Sequence, residues 1–241
     1  MGFVSRSLRA LFVLAFAAAF VLPLRASSGG PNIGALMDAY GGRGVLSGVR
    51  TLSLQGKITT FFSPDSGTYV VELKRPGKLL VDISYTEKRE RRILNNGRGY
   101  SGSGAGSEEV QGMAVAAMVY QYNQMDLPFG LAEGTLALHV LRRGTLHGRA
   151  VDVAEIRDRA GKKHMEVDID LASHRIVRTA ANFGMGGEQA VLSAEFGDFR
   201  KVSGILLPYL ITNYAGDMKI SETRVESYSV NGAISDAVFL P

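Results

Sequence analysis

The sequence predicts a mostly β protein in which about eleven antiparallel strands curl into a barrel or half-barrel. Through most of the chain after residue 50, apolar and polar residues alternate with a period of two, as in strands that bury one face. Turn sequences with glycine, proline or asparagine separate these segments, and only two segments favour a helix. A sheet with this many strands twists too strongly to stay flat, so we expect it to curl.

The first 26 residues have the features of a cleavable export signal. Two arginines precede an apolar run from Ala10 to Leu22, Pro23 ends the run, and Ala26 is a small residue suited to the cleavage position. The run has 13 residues, fewer than the ~20 that cross a bilayer, which favours cleavage over retention as an anchor. We therefore expect cleavage near Ala26, and we expect residues 27–241 to form one domain.

Charge and cysteine content exclude several classes of function for the mature chain, residues 27–241. The chain carries 27 Lys and Arg against 23 Asp and Glu, but three of the arginines lie in the predicted signal, so the remainder is close to neutral. A near-neutral domain gives no support for nucleic-acid binding, which depends on clustered positive charge. The absence of cysteine excludes a disulfide framework and thiolate chemistry. Because N-x-S/T glycosylation sites are also absent, we expect a bacterial periplasm as the compartment.

The first part of the mature chain predicts one short helix followed by a meander of strands. Residues 32–40 favour a helix with Asn32 as its N-cap, and Gly41-Gly42 ends it before a glycine-rich connector. Asn95-Asn96-Gly97 favours a tight hairpin, because that turn needs positive φ angles. The alternation predicts strands over residues 52–58, 69–74, 79–85, 91–94 and 98–101.

A helical insertion interrupts the strands. After a glycine- and serine-rich linker, residues 108–126 favour a helix that Pro128 ends. From Val110 to Val119 this helix is apolar on nearly all sides, so we expect the sheet to cover it. The alternation then resumes and predicts strands over residues 135–142, 149–157, 163–171, 175–182, 189–200, 205–215 and 217–230.

Several patterns that could indicate a catalytic, cofactor or metal site have simpler explanations. The Gly-x-Gly-x-x-Gly string at 97–102 matches the dinucleotide-binding fingerprint, but that motif must open a helix in a βαβ unit, and here it begins in a hairpin. The four histidines lack metal-ligand spacing, and no G-x-S-x-G nucleophile motif occurs. Glu166, Asp168 and Asp170 share a strand face that we expect to be solvated. The sequence therefore predicts no catalytic residue, no cofactor and no metal.

The candidate binding residues are the inward-facing apolar side chains of the strands and of the inserted helix. The methionines among them are flexible and polarisable, and such side chains accept varied apolar partners. A curled sheet of this size encloses more space than side chains readily fill, which favours a lipid-sized cavity. The simpler alternative is that these residues only fill the core. The predicted cavity lining consists of Leu54, Ile58, Tyr69, Val71, Leu73, Val81, Ile83, Tyr85, Met113, Ala117, Met118, Met165, Val167 and Ile169.

A set of short sequences occurs in a characteristic order along residues 33–241. They are Ala39-Tyr40-Gly41-Gly42 at the end of the first helix, Leu52-x-Leu54-x-Gly56 in the first strand, the Arg75-Pro76 turn before Leu79-x-Val81-Asp82, the Asn96-Gly97-x-Gly99-Tyr100 hairpin, the Gly-Ile-Leu-Leu-Pro segment at 204–208, and the tail Asn231-x-x-Ile234-x-Asp236-x-x-Phe239-x-Pro241. In this order the chain resembles the LolA/LolB-like superfamily of periplasmic proteins, the outer-membrane lipoprotein-sorting carriers and their relatives.

The resemblance implies an unclosed antiparallel β-barrel wrapped over helices that plug a hydrophobic cavity. It also implies non-catalytic binding of an acyl chain or another lipophilic group, with a lipid or acylated protein as partner and transient contact with inner- or outer-membrane components. The chain has no lipobox cysteine, which argues against the membrane-anchored receptor branch. Two alternatives stay open: a small enzyme on the same scaffold, and a structural or adaptor protein of the cell envelope.

Overall fold

The computed structural model describes residues 32–61, 64–103, 106–185 and 188–241. The predicted signal, residues 1–26, lies outside the described residues. Within them, thirteen strands form one continuous antiparallel sheet that does not close on itself. The strands are β1 (Thr51–Thr60), β2 (Asp65–Lys74), β3 (Lys78–Tyr85), β4 (Arg89–Asn95), β5 (Arg98–Gly102), β6 (Glu108–Val110), β7 (Leu136–Leu146), β8 (Arg149–Asp158), β9 (Lys163–Asp170), β10 (Ile176–Met185), β11 (Glu188–Val202), β12 (Ile205–Ala215) and β13 (Met218–Val230).

The sheet is a meander whose first strand pairs with its last. The strand order is β6-β5-β4-β3-β2-β1-β13-β12-β11-β10-β9-β8-β7, so β6 and β7 form the two edges. Leu52 pairs with Leu73 of β2 on one side and with Val230 of β13 on the other. This architecture confirms the predicted mostly β fold with an unclosed antiparallel sheet.

The helices are α1 (Ile33–Tyr40), α2 (Arg43–Ser47), α3 (Met113–Glu133) and a short 3-10 helix at Asp236–Phe239. Asn32 caps α1 as predicted, because its Oδ1 accepts a hydrogen bond from the backbone N–H of Ala35 at 3.0 Å. Residues 43–47 were expected to be part of a connector and instead make one helical turn, which buries Leu46 completely. Within the described residues, no helix combines the length and the apolar character needed to cross a bilayer.

Helix α3 differs from its prediction at both ends. Residues Glu108–Val110 form the edge strand β6, since their backbone pairs with β5, and Gly112 at φ 60° marks the start of the helix. At the other end the helix continues through Pro128 to Glu133. A proline inside a helix costs about 3 kcal/mol, but every residue from Asp126 to Ala132 is buried. Burial of this apolar segment against the sheet outweighs the lost hydrogen bond.

The order of elements places α3 across the concave face of the sheet. The helix follows the edge strand β6 and precedes the edge strand β7, and it contacts β3, β4 and β5 near one edge and β7, β9 and β10 near the other. Gly99 in β5 permits part of this approach, because a Cβ there would lie 2.9 Å from Val115 Cγ2 of α3. The glycine string at 97–102 therefore serves a hairpin turn and helix packing.

The outer face of the sheet is not solvated everywhere, although alternation predicts a polar outer face. Leu80 and Ile93, on the outer side of β3 and β4, pack against Phe239 of the C-terminal tail. The tail is also fixed by polar contacts, since Arg91 Nη2 donates to the Val238 carbonyl at 3.0 Å. The tail therefore covers one part of the outer surface and stabilises the neighbouring strands.

Candidate functional site

A cavity of about 110 Å³, partly open to the surface, lies between the inner face of the sheet and helix α3. The cavity exists because a single helix cannot fill the whole concave face of so wide a sheet. None of the described residues that line it carries a charge. They are Tyr40, Leu52, Leu54, Tyr69, Val71, Gln121, Gln124, Met125, Leu127, Pro128, Ile176, Thr179, Phe196, Phe199, Leu207, Pro208, Ile211, Asn213, Thr223 and Tyr228.

The residues predicted to line a cavity occupy different positions in the structure. Leu54, Tyr69 and Val71 border the cavity itself. Tyr85 and Ala117 are partly buried at positions beyond it. Eight others are buried in the hydrophobic core: Ile58, Leu73, Val81, Ile83, Met118, Met165, Val167 and Ile169.

Met113 differs from its expected place. It is 46% exposed and borders an open groove instead of the cavity. The reason is the later start of α3, which makes Met113 the first residue of the helix, where the sheet no longer covers it.

Strands β10 to β13 provide about half of the cavity lining, and the sequence-based prediction included none of those residues. Phe196 and Ile211 lie in segments that were predicted as strands, so the period of two was a usable signal for their inward direction. Whether an inward side chain packs against α3 or borders an opening depends on where the helix crosses the sheet. No local pattern in the sequence encodes that crossing.

Polar side chains of the cavity form hydrogen bonds with one another. Gln124 Nε2 donates to Thr179 Oγ1 at 2.6 Å, and the Tyr120 hydroxyl lies 3.0 Å from the same oxygen. Gln121 Nε2 donates to the Tyr69 hydroxyl at 2.9 Å. These groups are amides and hydroxyls, so the polar part of the cavity is uncharged.

The tyrosines around the cavity keep their protons because burial disfavours the phenolate. Burial raises the pKa of Tyr69 and Tyr228 above the ordinary value and raises that of Tyr120 to about 12. Each hydroxyl therefore remains a neutral hydrogen-bonding group in the neutral pH range.

An open groove of about 760 Å³ runs beside the N-terminal half of α3. It is bordered by Gly97 to Gly99, by β6, by the first turns of α3 and by residues of β9 and β10. Tyr120 borders this groove, whereas its hydrogen-bond partner Thr179 borders the cavity. The Tyr120–Thr179 contact thus links a residue of the groove to a residue of the cavity.

Arginines from three parts of the chain hold the C-terminal end of α3. Arg75, in the turn between β2 and β3, donates to Asp126 and, at 2.9 Å, to Glu133 Oε2. Arg50 Nη1 also contacts Glu133, at 2.6 Å. Arg43 Nη1 donates to the Ala132 carbonyl at 2.5 Å, which satisfies an acceptor at the helix end.

Asp126 is the most perturbed acid of this arginine cluster. It is 6% exposed, and burial raises its pKa to about 6, although the Arg75 guanidinium acts in the opposite direction. Glu133 is more exposed, and hydrogen bonds from Arg75 and Arg50 lower its pKa despite partial desolvation. Burial and the arginines therefore shift the pKa values of the two carboxylates of the cluster in opposite directions.

The carboxylates of β9 are less solvated than predicted. Asp168 and Asp170 are only 7% and 6% exposed, because neighbouring side chains cover them. Asp168 lies 3.5 Å from Arg178 Nη1, and Asp170 accepts a 2.7 Å hydrogen bond from the Ser173 backbone. Within the described part of the chain, no group of three or more His, Cys, Asp or Glu side chains is arranged to hold a metal ion.

No known protein-family model matches the chain, and no curated protein matches it in sequence. Solved structures do match it. A LolA superfamily protein from Nitrosomonas europaea is 12% identical with a TM-score of 0.53, and the match covers 86% of this chain and 96% of that one.

Two further structures give the same result. A DUF1329 family protein from Desulfovibrio piger is 11% identical with a TM-score of 0.55, over 86% of this chain and 97% of that one. A putative outer membrane lipoprotein-sorting protein domain from Vibrio parahaemolyticus is 11% identical with a TM-score of 0.50, over 87% of this chain and 95% of that one. At identities this low, the likeness to these structures shows a shared fold only. Together with the open sheet over α3, these likenesses show that the chain has the LolA-like fold.

Proposed function

We propose that this protein is a non-catalytic carrier or binding protein for a lipid or a lipid-bearing protein and that it works in the periplasm after export. The observation that carries the proposal is the cavity between α3 and the sheet, whose lining is mainly apolar and without charge among the described residues. Such a cavity suits an acyl chain, because burying apolar surface contributes about 25 cal/mol per Å². The fold shared with a lipoprotein-sorting domain supports the same assignment.

The cavity volume means that binding requires movement of α3. At about 110 Å³ it is smaller than the ~300–1,000 Å³ of sites that enclose whole small molecules. The two halves of α3 are held unequally. The arginine cluster fixes the C-terminal end, whereas residues 111–114 and Ala116 are exposed. We therefore assign the movement to the N-terminal half, which would join the groove to the cavity when the Tyr120–Thr179 contact separates.

The alternative of an enzyme has one feature in its favour. Arg75 and Asp126 are buried and border a separate recess of about 530 Å³. Their charges, however, are paired with each other and with Glu133, and the pairing holds α3 in place. A role in anchoring the helix accounts for these residues, and we propose no reaction for them.

A direct test combines lipid analysis with a variant that fills the cavity. Protein purified from its native compartment should release lipid that mass spectrometry identifies, and the purified protein should bind a neutral apolar fluorophore such as N-phenyl-1-naphthylamine. Ile211→Trp places a larger side chain in the cavity and should weaken binding at least about tenfold. Leu210→Trp, one residue along the same strand and outside the cavity lining, is the matched control and should bind normally.

Two results would contradict the proposal. One is protein that carries no lipid and binds no fluorophore. The other is equal binding by wild type and by a folded Ile211→Trp variant, which would place the ligand elsewhere. A structural or adaptor role would then be the better assignment.

A further inference from the structure

Strand β7 forms an edge of the sheet, and one side of its backbone has no partner strand. The strand order ends at β7, and within the described residues no backbone hydrogen bond joins its outer side to another segment. Residues His139 to Arg143 are exposed, which leaves this side accessible. An open edge of this length is a template on which an extended segment can add one more strand.

The opposite edge, β6, offers much less backbone for such an addition. It has three residues, whereas β7 has 11, and a strand of a globular protein usually has about five or six. Glu109 of β6 is also engaged within the chain, since Arg98 Nη2 donates to its Oε2 at 2.8 Å. Strand β7 is therefore the edge at which strand addition is feasible.

A bulge in the middle of β7 determines which part of the edge is regular. The register with β8 shifts between Val140 and Arg142, so Leu141 is the extra residue. Beyond the bulge, Arg142 to Leu146 pair with β8 without interruption. Val140 and Leu141 are 36% and 49% exposed and lie just before this stretch. The stretch therefore combines regular backbone with exposed apolar side chains beside it.

The charge around this stretch is entirely positive. From residue 134 to residue 151 the chain contains three arginines and two histidines, and no aspartate or glutamate. Of the nearest carboxylates, Asp152 already lies 3.6 Å from Arg143, and Asp168 is paired with Arg178. Arg142 has no ion pair with any carboxylate in the part of the chain that the structure describes. The edge therefore attracts an acidic partner.

The same charge opposes the pairing of two copies of this chain. Two copies joined edge to edge through β7 would bring their Arg142 and Arg143 side chains together, and like charges opposite each other destabilise a strand pair. An extended segment with aspartate or glutamate would place opposite charges at these positions and satisfy the open backbone groups at the same time.

We infer that the edge of β7 from Arg142 to Leu146 binds an extended acidic segment of another protein as an additional strand. Backbone hydrogen bonds hold the segment, and the two arginines select its acidic side chains. This interaction surface goes beyond the proposed function, because it depends on the sheet edge and not on the cavity. Binding of the apolar fluorophore and binding at this edge are therefore separate measurements.

Fluorescence anisotropy with short labelled peptides tests the inference. The probe is a peptide of about seven residues in which glutamate and valine alternate. We expect it to bind at least about tenfold more tightly than the same peptide with lysine in place of glutamate. Full N-methylation of the backbone amides should weaken binding at least about tenfold, because the peptide then cannot donate to the strand. Equal binding of the methylated peptide would indicate charge attraction alone and overturn the inference.

Hydrogen exchange followed by mass spectrometry locates the peptide on the protein. The bound peptide should slow the exchange of the amides in residues 142–146, because added strand pairing protects backbone N–H groups. Slower exchange only in β6 or in the groove beside α3 would place the peptide elsewhere and overturn the inference. Self-association of the protein in analytical ultracentrifugation, lost in an Arg142→Gln variant, would assign the edge to a second copy and overturn it as well.

Neutral variants separate the position of the charge from its total amount. Arg142→Gln combined with Arg143→Gln should weaken binding of the acidic peptide at least about tenfold. The control combines Arg200→Gln and Arg224→Gln, whose side chains are 58% and 73% exposed on the interior strands β11 and β13. It should change the affinity by less than about twofold.

A milder variant keeps the test valid if the double variant at the edge does not fold. Arg143→Gln alone, at a side chain 61% exposed, should weaken binding about threefold or more. Circular dichroism confirms that each variant is folded. Equal losses of affinity in the folded edge and control variants would show that only net charge matters, and the inference would be wrong.

Discussion

Replacing Arg75 by methionine tests whether buried charge holds the C-terminal half of α3 against the sheet. The Arg75 side chain is 5% exposed and contacts Asp126, Glu133 and, at 2.8 Å, the Val49 carbonyl. Methionine keeps much of the side-chain length but removes every one of these hydrogen bonds. Removing one partner of a buried ion pair costs about 3–5 kcal/mol, because the other charge stays buried. We expect a loss in that range near pH 8.

The loss should depend on pH in a direction that follows from the pKa of Asp126. In the folded protein this pKa is raised from 3.8 to about 6, so the folded state binds the proton more tightly than the unfolded chain. Protonation of Asp126 therefore stabilises the fold as the pH falls through about 6. In Arg75→Met the pKa rises further, since the cation that lowers it is gone. The difference between wild type and variant should grow above pH 6 by up to about 1.4 kcal/mol per pH unit.

Urea unfolding followed by circular dichroism near pH 5 and near pH 8 measures both quantities. Arg89→Met is the matched control, because Arg89 pairs with Asp82 at the surface and its side chain is 52% exposed. An exposed pair of this kind contributes about 0–1 kcal/mol. The reasoning is refuted if Arg75→Met loses the same stability at both pH values, or no more than Arg89→Met.

Two further substitutions test contacts that hold the fold together. Phe239→Ala should lower the free energy of unfolding in urea by about 3–5 kcal/mol, because Phe239 is fully buried against Leu80 and Ile93. The control Leu240→Ala, at a residue 54% exposed, should change it by less than about 0.5 kcal/mol. Similar losses in the two variants would contradict this role of the tail. Gly41→Ala should lower the free energy of unfolding by at least the ~1–3 kcal/mol of a strained backbone position, since φ is 120° at Gly41. The new Cβ would also collide with the Gly204 carbonyl oxygen. Gly44→Ala, with open space around it, should be neutral or stabilise by up to about 1 kcal/mol, so a stable Gly41→Ala would refute the close approach.

The strand pattern was readable from the sequence because it depends on neighbouring residues. Leu52 and Leu54 alternate with polar residues, and the resulting strand β1 buries both of them. The Asn96-Gly97 turn was readable for a similar reason, since both residues have positive φ in the structure. Local preference and tertiary structure agree at these positions, so pattern reasoning gave the correct result.

The tertiary structure decided the features that depend on where α3 crosses the sheet. Pro128 predicts a helix end, but burial of the residues around it extends the helix to Glu133. Arg75 and Asp126 are 51 residues apart in sequence and meet only because the β2–β3 turn reaches the end of α3. The cavity wall likewise joins Tyr69 to Gln121 and Gln124 to Thr179. The sequence by itself determined which side chains point inward, and long-range packing determined which of them border a cavity.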